Sequence, residues 1–143
     1  MKIKLNINDI EKSVEHIRNA ADKDEKNKLY QQYISALRKL AYYGNAEAQF
    51  YLACHYEDSG TMGDPNPYHS IPKKFYWYTK AADNNDGSAC SNLAIMYEKG
   101  EGCEKNIKKA LELYKKSAKL GNYAGKLNYK IMLKQIKSGI YNI

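Results

Sequence analysis

The stretch LAIMYEKGEGCEKNIKKALELYKKSAKLGN, residues 93–122, has a poorer copy of itself about forty residues upstream, a period characteristic of repeat architectures. Laid over LACHYEDSG and KKFYWYTKAADNND, Leu93 falls on Leu52, Tyr97 on Tyr56, Gly100 on Gly60, Tyr114 on Tyr78 and Ala118 on Ala82. Repetition at this spacing identifies a chain of stacked units, none of which buries its apolar face alone.

The phase of the units is set by Gly44, Asn85 and Gly121, which lie 41 and 36 residues apart. Ala48, Leu52 and Tyr56 follow the first marker, Ala89, Leu93 and Tyr97 the second, and Gly125, Tyr129 and Leu133 the third. Steps of four keep residues on one helical face, so each unit opens with an amphipathic helix. Gly60 and Gly100 are placed to end these helices, since glycine takes the left-handed conformation at no steric cost. A turn and a second helix follow. Over Ile107–Leu120 that helix turns Ala110, Leu113, Tyr114 and Ala118 inward, with Asn106 as its cap. The longer first period comes from DSGTMGDPNPYHSIP, rich in Gly and Pro, and Pro72 suits the first turn of the helix beyond it.

Upstream, Tyr33, Leu37 and Ala41 have the phase of Ala110, Tyr114 and Ala118. Asn8 with Glu11 reads as a capping box opening a helix with Ile10, Val14, Ile17 and Ala21 on one face, and DKDEKN as its turn. The expectation is an all-α fold: a short right-handed α/α solenoid of about seven antiparallel helices in one domain, residues 1–143. Residues 1–43 form divergent N-terminal helices, 44–84 a first repeat with an inserted loop at 58–71, 85–120 a second repeat, and 121–143 a C-terminal capping helix. No alternating pattern supports a sheet.

Composition agrees with an ordinary water-exposed domain, 43% hydrophobic and 27% charged, with no apolar run long enough to span a bilayer. The first residues, MKIKLNINDIEKSVEH, carry acids and no apolar signal core, which points to the cytoplasm. The net charge is +7, compatible with an acidic partner. Fourteen tyrosines against two phenylalanines suit half-buried helix faces and contact surfaces, because tyrosine is apolar with a polar tip.

The pattern G-x3-A-x3-L-x3-Y-x2-G-x-G followed by K-A-x3-Y-x-K-x-A-x2-G resembles the Sel-one-like repeat (SLR), a relative of the tetratricopeptide repeat. SACSNLAIMYEKGEGCEKNIKKALELYKKSAKLGN matches it closely, and GNAEAQFYLACHYEDSG with KKFYWYTKAADNND more loosely. The resemblance covers about residues 30–137 and implies a structural scaffold for protein–protein interaction. In the cysteine-rich bacterial branch of the family, a Cys ending the second helix pairs with one eight residues later. Here Cys90 faces Ala82 across that spacing, and the pairs Ala41/Gln49 and Ala118/Lys126 hold no Cys. Cys54, Cys90 and Cys103 are therefore expected to be reduced.

Motifs that carry chemistry are weak. Ser70-Ile-Pro-Lys73 has the S-x-x-K form of penicillin-recognising acylases, an activity assigned to some cysteine-rich relatives, but its S-D-N and K-T-G partners are missing. It reads as a serine starting a helix. His16, His55 and His69 lie in different units at no metal-binding spacing, and Asp64 is the acid sharing a loop with His69. Cys103 has no neighbouring His to activate it. EKGEGCEKN follows a helix and lacks the G-K-[ST] end of a phosphate loop. No enzyme activity, cofactor or metal is expected.

The function expected is a non-catalytic interaction module that binds a peptide or protein in the groove lined by the first helix of each unit, as a monomer. Groove candidates are polar or aromatic positions outside the repeat pattern: Gln49, Tyr51, His55, Asn92, Met96 and Asn128. The alternative is nucleic acid or another polyanion. Residues 105–137 hold ten lysines and one acid, Glu112, and Lys126, Lys130, Lys134 and Lys137 form a single stripe.

Overall fold

The computed structural model describes residues 6–58 and 66–143, with Ile7 and Ile10 described by backbone alone. Seven helices and no strand appear among these residues: α1 (Ile7–Asn19), α2 (Lys23–Tyr42), α3 (Ala46–His55), α4 (Ile71–Asp83), α5 (Gly87–Lys99), α6 (Ile107–Lys119) and α7 (Tyr123–Lys137). Each helix packs on its neighbours in sequence, and α5 also meets α7, which is solenoid-like pairing.

The phase markers do what their spacing implies. Gly44, Asn85 and Gly121 all have positive φ, at 88°, 64° and 83°. The next residue in each unit caps the following helix: Asn45, Asp86 and Asn122 accept from the backbone N–H of Ala48, Ala89 and Gly125 at 2.8, 2.7 and 2.8 Å. Their own N–H groups donate back to the carbonyls of Leu40, Ala81 and Ser117, closing the end of the preceding helix. Asn106 caps α6, Pro72 lies in the first turn of α4, and Gly100 ends α5 at φ 72°.

Three details differ from expectation. The capping box of α1 is Asn6 with Asp9, two residues before Asn8 and Glu11, because NINDIE offers both registers and the earlier one adds helical backbone bonds. DKDEKN is the start of α2 and not a turn: Asp22 accepts from Glu25 N–H at 2.8 Å, and Asp24 and Glu25 sit favourably at the positive end of the helix dipole. The turn is Ala20–Asp22. Helix α3 stops at His55, well before Gly60, which lies outside the described residues, as does Asp64. Asn66 replaces a glycine terminator: its Nδ2 donates to the carbonyls of His55 and Glu57 at 2.9 and 2.7 Å.

The core is continuous along the stack. Ile34, Leu37, Ala41, Ala48 and Leu52 fill the space between α2 and α3. Ala53, Tyr78, Ala82, Ala89, Cys90 and Leu93 fill the centre, and Ala94, Ala110, Tyr114 and Met132 the C-terminal end. Trp77 joins the first two clusters, and Tyr97 and Leu113 the last two. At the N-terminal end the cover is thinner: Val14 and Ala21 are exposed and Ile17 is half-buried, while the side chain of Ile10 lies outside the described residues.

Leu93, buried against helices on both sides, tests the phase. Leu93→Ala is expected to cost about 2 to 5 kcal/mol through lost burial and a residual cavity, read from chemical denaturation. An unchanged unfolding midpoint would mean that this face is not the packed one.

Candidate partner-binding groove and its supporting network

The first helices are the inner layer. No residue of α3 is exposed, and on α5 only Lys99 is. The second helices instead carry the exposed charge, including Lys80 on α4 and Lys108, Lys109, Lys115 and Lys119 on α6. On the inner helices Tyr51, Asn92 and Asn128 are half-buried and separated by the same 41 and 36 residues as the phase markers, so they occupy one register position in three units. Phe50 lies edge-on to Tyr51, with ring centroids 5.5 Å apart. Asn92 donates from Nδ2 to the Tyr78 hydroxyl at 3.0 Å.

The other three expected groove residues point inward. Gln49 is 3% exposed; its Nε2 donates to the Ala41 carbonyl at 3.0 Å, and its Oε1 accepts from Asn84 Nδ2 at 2.9 Å. Its register equivalent, Cys90, approaches the carbonyl of Ala82 in the same way. Met96 is 2% exposed in the central core. His55 is 6% exposed and occupies the position that Met96 and Met132 hold in the later units. Packing against the neighbouring helix removes all three from the groove. The sequence signal was available, because positions 55, 96 and 132 share one register and two of them are apolar.

His55 Nδ1 lies 2.6 Å from the Tyr30 hydroxyl, and the ring packs on Tyr56 and Tyr68 at 4.7 Å from each. Its Nε2 is buried with no hydrogen-bond partner among the described residues. Burial first, then the positive charges of Arg38 and Lys73, pull its pKa down to about 4.

Beneath the inner face runs a polar network that the sequence reading missed. Lys74, buried on α4, donates to Glu101 Oε1 at 2.6 Å and Glu57 Oε2 at 3.2 Å. Burial alone would lower the Lys74 pKa, but hydrogen bonds to the two glutamates hold it above the ordinary lysine value. Tyr78 donates to Glu57 Oε1 at 2.6 Å, and burial followed by these neighbours pushes its phenol far up. The next unit repeats the contact: Tyr114 donates to Glu98 Oε2 at 2.8 Å, and Tyr141 donates to Glu98 Oε1 at 2.9 Å. Position 74 is equivalent to Tyr33 and Ala110, so register alone marked this lysine as inward-facing.

The remaining motif residues have plain structural settings. Ser70 caps α4, accepting from Lys73 N–H, while the Lys73 ammonium lies over the Tyr56 ring at 5.4 Å. His16 and His69 are exposed. Cys54, Cys90 and Cys103 are free thiols, and burial pushes each of their pKa values up, the opposite of an activated thiolate. Among the described residues no group of three or more His, Cys, Asp or Glu is placed to hold a metal ion, and no helix is long and apolar enough to cross a membrane. Lys126, Lys130, Lys134 and Lys137 are all exposed on α7.

Helix pairs closed by a left-handed residue and a capping Asn or Asp, with alanines at the contacts, define a helical-repeat scaffold of the tetratricopeptide type. The Sel1 repeat family matches residues 46–71, 73–86 and 87–122, and the chain belongs to that family. Its architecture is that of non-catalytic protein–protein interaction scaffolds. Among solved structures, a Sel1 repeat protein from Oxalobacter formigenes shares 27% identity at a TM-score of 0.63, over 72% of this chain and 40% of that one. Helicobacter pylori cysteine rich protein B shares 22% identity at a TM-score of 0.60, over 82% and 92%, a likeness of fold. The curated relative DAP3-binding cell death enhancer 1 is 34% identical in Rattus norvegicus over 92 residues and 30% in Mus musculus over 89. The matches span 64% and 62% of this chain but only 17% and 16% of those relatives.

The His55 environment has a measurable pH signature. Folding favours the neutral imidazole, so its contribution is complete above the ordinary value of 6.5 and is lost as pH falls toward about 4. The loss is on the order of 3 kcal/mol. His55→Met, which restores the residue type of Met96 and Met132, should flatten this dependence in thermal melts between pH 7 and 4. An unaltered pH profile in the variant would place the titrating group elsewhere.

Proposed function

We propose that the chain is a non-catalytic interaction module, acting as a monomer in the cytoplasm, which takes a peptide or protein segment along the inner face of its first helices. The observation that carries this is the recurrence of Tyr51, Asn92 and Asn128 at one half-buried register position. A ligand crossing the units meets an aromatic ring and two carboxamides at regular intervals, where two-sided hydrogen bonding and apolar contact combine. The rigid polar network behind Asn92 fixes its orientation before any ligand arrives, which lowers the ordering cost of binding. The rat and mouse relatives are named for binding DAP3; carried to this chain, that supports capture of a partner as the role without making DAP3 the ligand. The three free thiols support a reducing, cytoplasmic setting.

A second reading, nucleic acid or another polyanion on Lys126, Lys130, Lys134 and Lys137, is favoured by the exposure of all four on one helix. Affinity capture from lysate followed by mass spectrometry separates the two. Tyr51→Ala with Asn128→Ala should reduce the captured protein roughly tenfold or more, as loss of central contacts does, with the fold verified by circular dichroism. Changing the four lysines to Gln should alter mainly the salt dependence. Capture unaffected by the first pair and abolished by the second, together with duplex binding at low salt, would overturn the groove reading.

A further inference from the structure

The C-terminal unit is half a repeat. In the two complete units, the second helix packs on a fixed set of positions on the first. On α3 these are Phe50, Ala53, Cys54 and Glu57, which meet α4, and on α5 they are Ser91, Ala94, Ile95 and Glu98, which meet α6. Ala53 and Ala94 are 0% exposed, and Glu57 and Glu98 accept the hydroxyls of Tyr78 and Tyr114. By the same register the positions on α7 are Leu127, Lys130, Ile131 and Lys134. No second helix follows: Gly139 turns the chain at φ 77°, and Tyr141 runs back to Glu98. Leu127 and Ile131 are left 47% and 44% exposed.

The substitutions on this face have a direction. Where the complete units have a buried alanine and a glutamate, α7 has two lysines, so the charge at the contact is inverted while the apolar pair is kept. A helix like α6, which carries Lys108, Lys109, Lys115, Lys116 and Lys119, would be repelled here. A second copy turned α7 to α7 would bring lysine against lysine. The chain's own acid-bearing helix, α1, already has Ile17 partly buried against α2. A nucleic-acid backbone would use the lysines and leave Leu127 and Ile131 without purpose.

We propose that this face of α7 docks an amphipathic helix of a partner protein that carries acidic side chains beside its apolar stripe. The partner helix takes the place on α7 that α4 takes on α3 and α6 on α5. Its apolar residues, spaced three and four apart, cover Leu127 and Ile131, and its carboxylates meet Lys130 and Lys134, with Lys126 and Lys137 at the flank. The site is separate from the inner face, so one chain can hold two partners.

The test uses a fluorescein-labelled synthetic helix of 13 residues, the length of α6, keeping residues equivalent to Ala110, Leu113 and Tyr114 and bearing glutamates where α6 has lysines. A lysine version is the control, and binding to the full chain is followed by anisotropy. The acidic peptide should bind, the lysine peptide should not, and raising salt should weaken binding roughly tenfold. Leu127→Asp with Ile131→Asp should abolish it. Lys130→Glu with Lys134→Glu should abolish it too and gain affinity for the lysine peptide, a swap that a misfolded variant cannot produce. Tyr51→Ala with Asn128→Ala should leave it unchanged, which separates this site from the groove. Failure of the acidic peptide to bind, equal binding of both peptides, or binding lost with the lysines but kept in the Asp variant would overturn the proposal. So would self-association by sedimentation that Leu127→Asp removes, since that assigns the face to a second copy.

Discussion

Everything in this molecule hangs on how the chain passes from the second helix of one unit to the first helix of the next. Only one residue in the left-handed region, at 44, 85 and 121, separates two closed hydrogen-bond patterns. The residue after it serves both helices, donating its N–H to the helix behind and accepting with its side chain from the helix ahead. So short a connection fixes the angle between units and brings their backbones together, and the contact positions must then be small. Ala48 and Ala89 meet that requirement with no exposure, and Gly125 goes further, because a Cβ there would collide with the side chain of Ser117. Asn85 fills the left-handed position without being glycine, which asparagine tolerates better than other side chains.

Within a unit the fastening is different in kind. A glutamate near the end of the first helix accepts a phenol from the second in both complete units, and in the first of them Lys74 adds a buried cation held between two carboxylates. Buried ion pairs contribute little net stability, since desolvation offsets most of the attraction, but they penalise any register in which the charge loses its partners. The arrangement thus selects one packing of α4 against α3 and α5. That selection also holds Asn92 in place, so the inner face inherits its geometry from polar contacts lying behind it.

The fold was readable because its determinants are periodic. Steps of four residues, a left-handed position at a fixed interval, a capping Asn106 and Pro72 in a first turn all act locally, and local rules can be seen in a single sequence. The register was readable too, though it was not applied far enough. His55 and Met96 share a position with Met132, Gln49 shares one with Cys90, and Lys74 shares one with Ala110; each comparison says that the side chain turns inward. What could not be read is how an inward polar side chain is satisfied, because its partners come from other elements: Tyr30 for His55, Asn84 and the Ala41 carbonyl for Gln49, Glu57 and Glu101 for Lys74. The start of α1 and the length of α2 were misjudged for a simpler reason. Short polar runs such as NINDIE and DKDEKN satisfy helix starts and turns equally well, and the neighbouring packing decides between them.

The wiring of contacts has a consequence for how the chain comes apart. Apart from α5 against α7, the substantial contacts of every helix are with its immediate neighbours in sequence. Closing such contacts requires only short loops, so assembly is entropically inexpensive and proceeds outward from whichever pair forms first. The same wiring means that no long-range strand or knot ties the ends to the middle. The N-terminal helix, lightly covered around Val14, can peel away and return while the Tyr78 and Tyr114 fastenings of the central units remain closed. The protein is therefore a graded spring, loose at its first turn of helix and stiff where its tyrosines meet its glutamates.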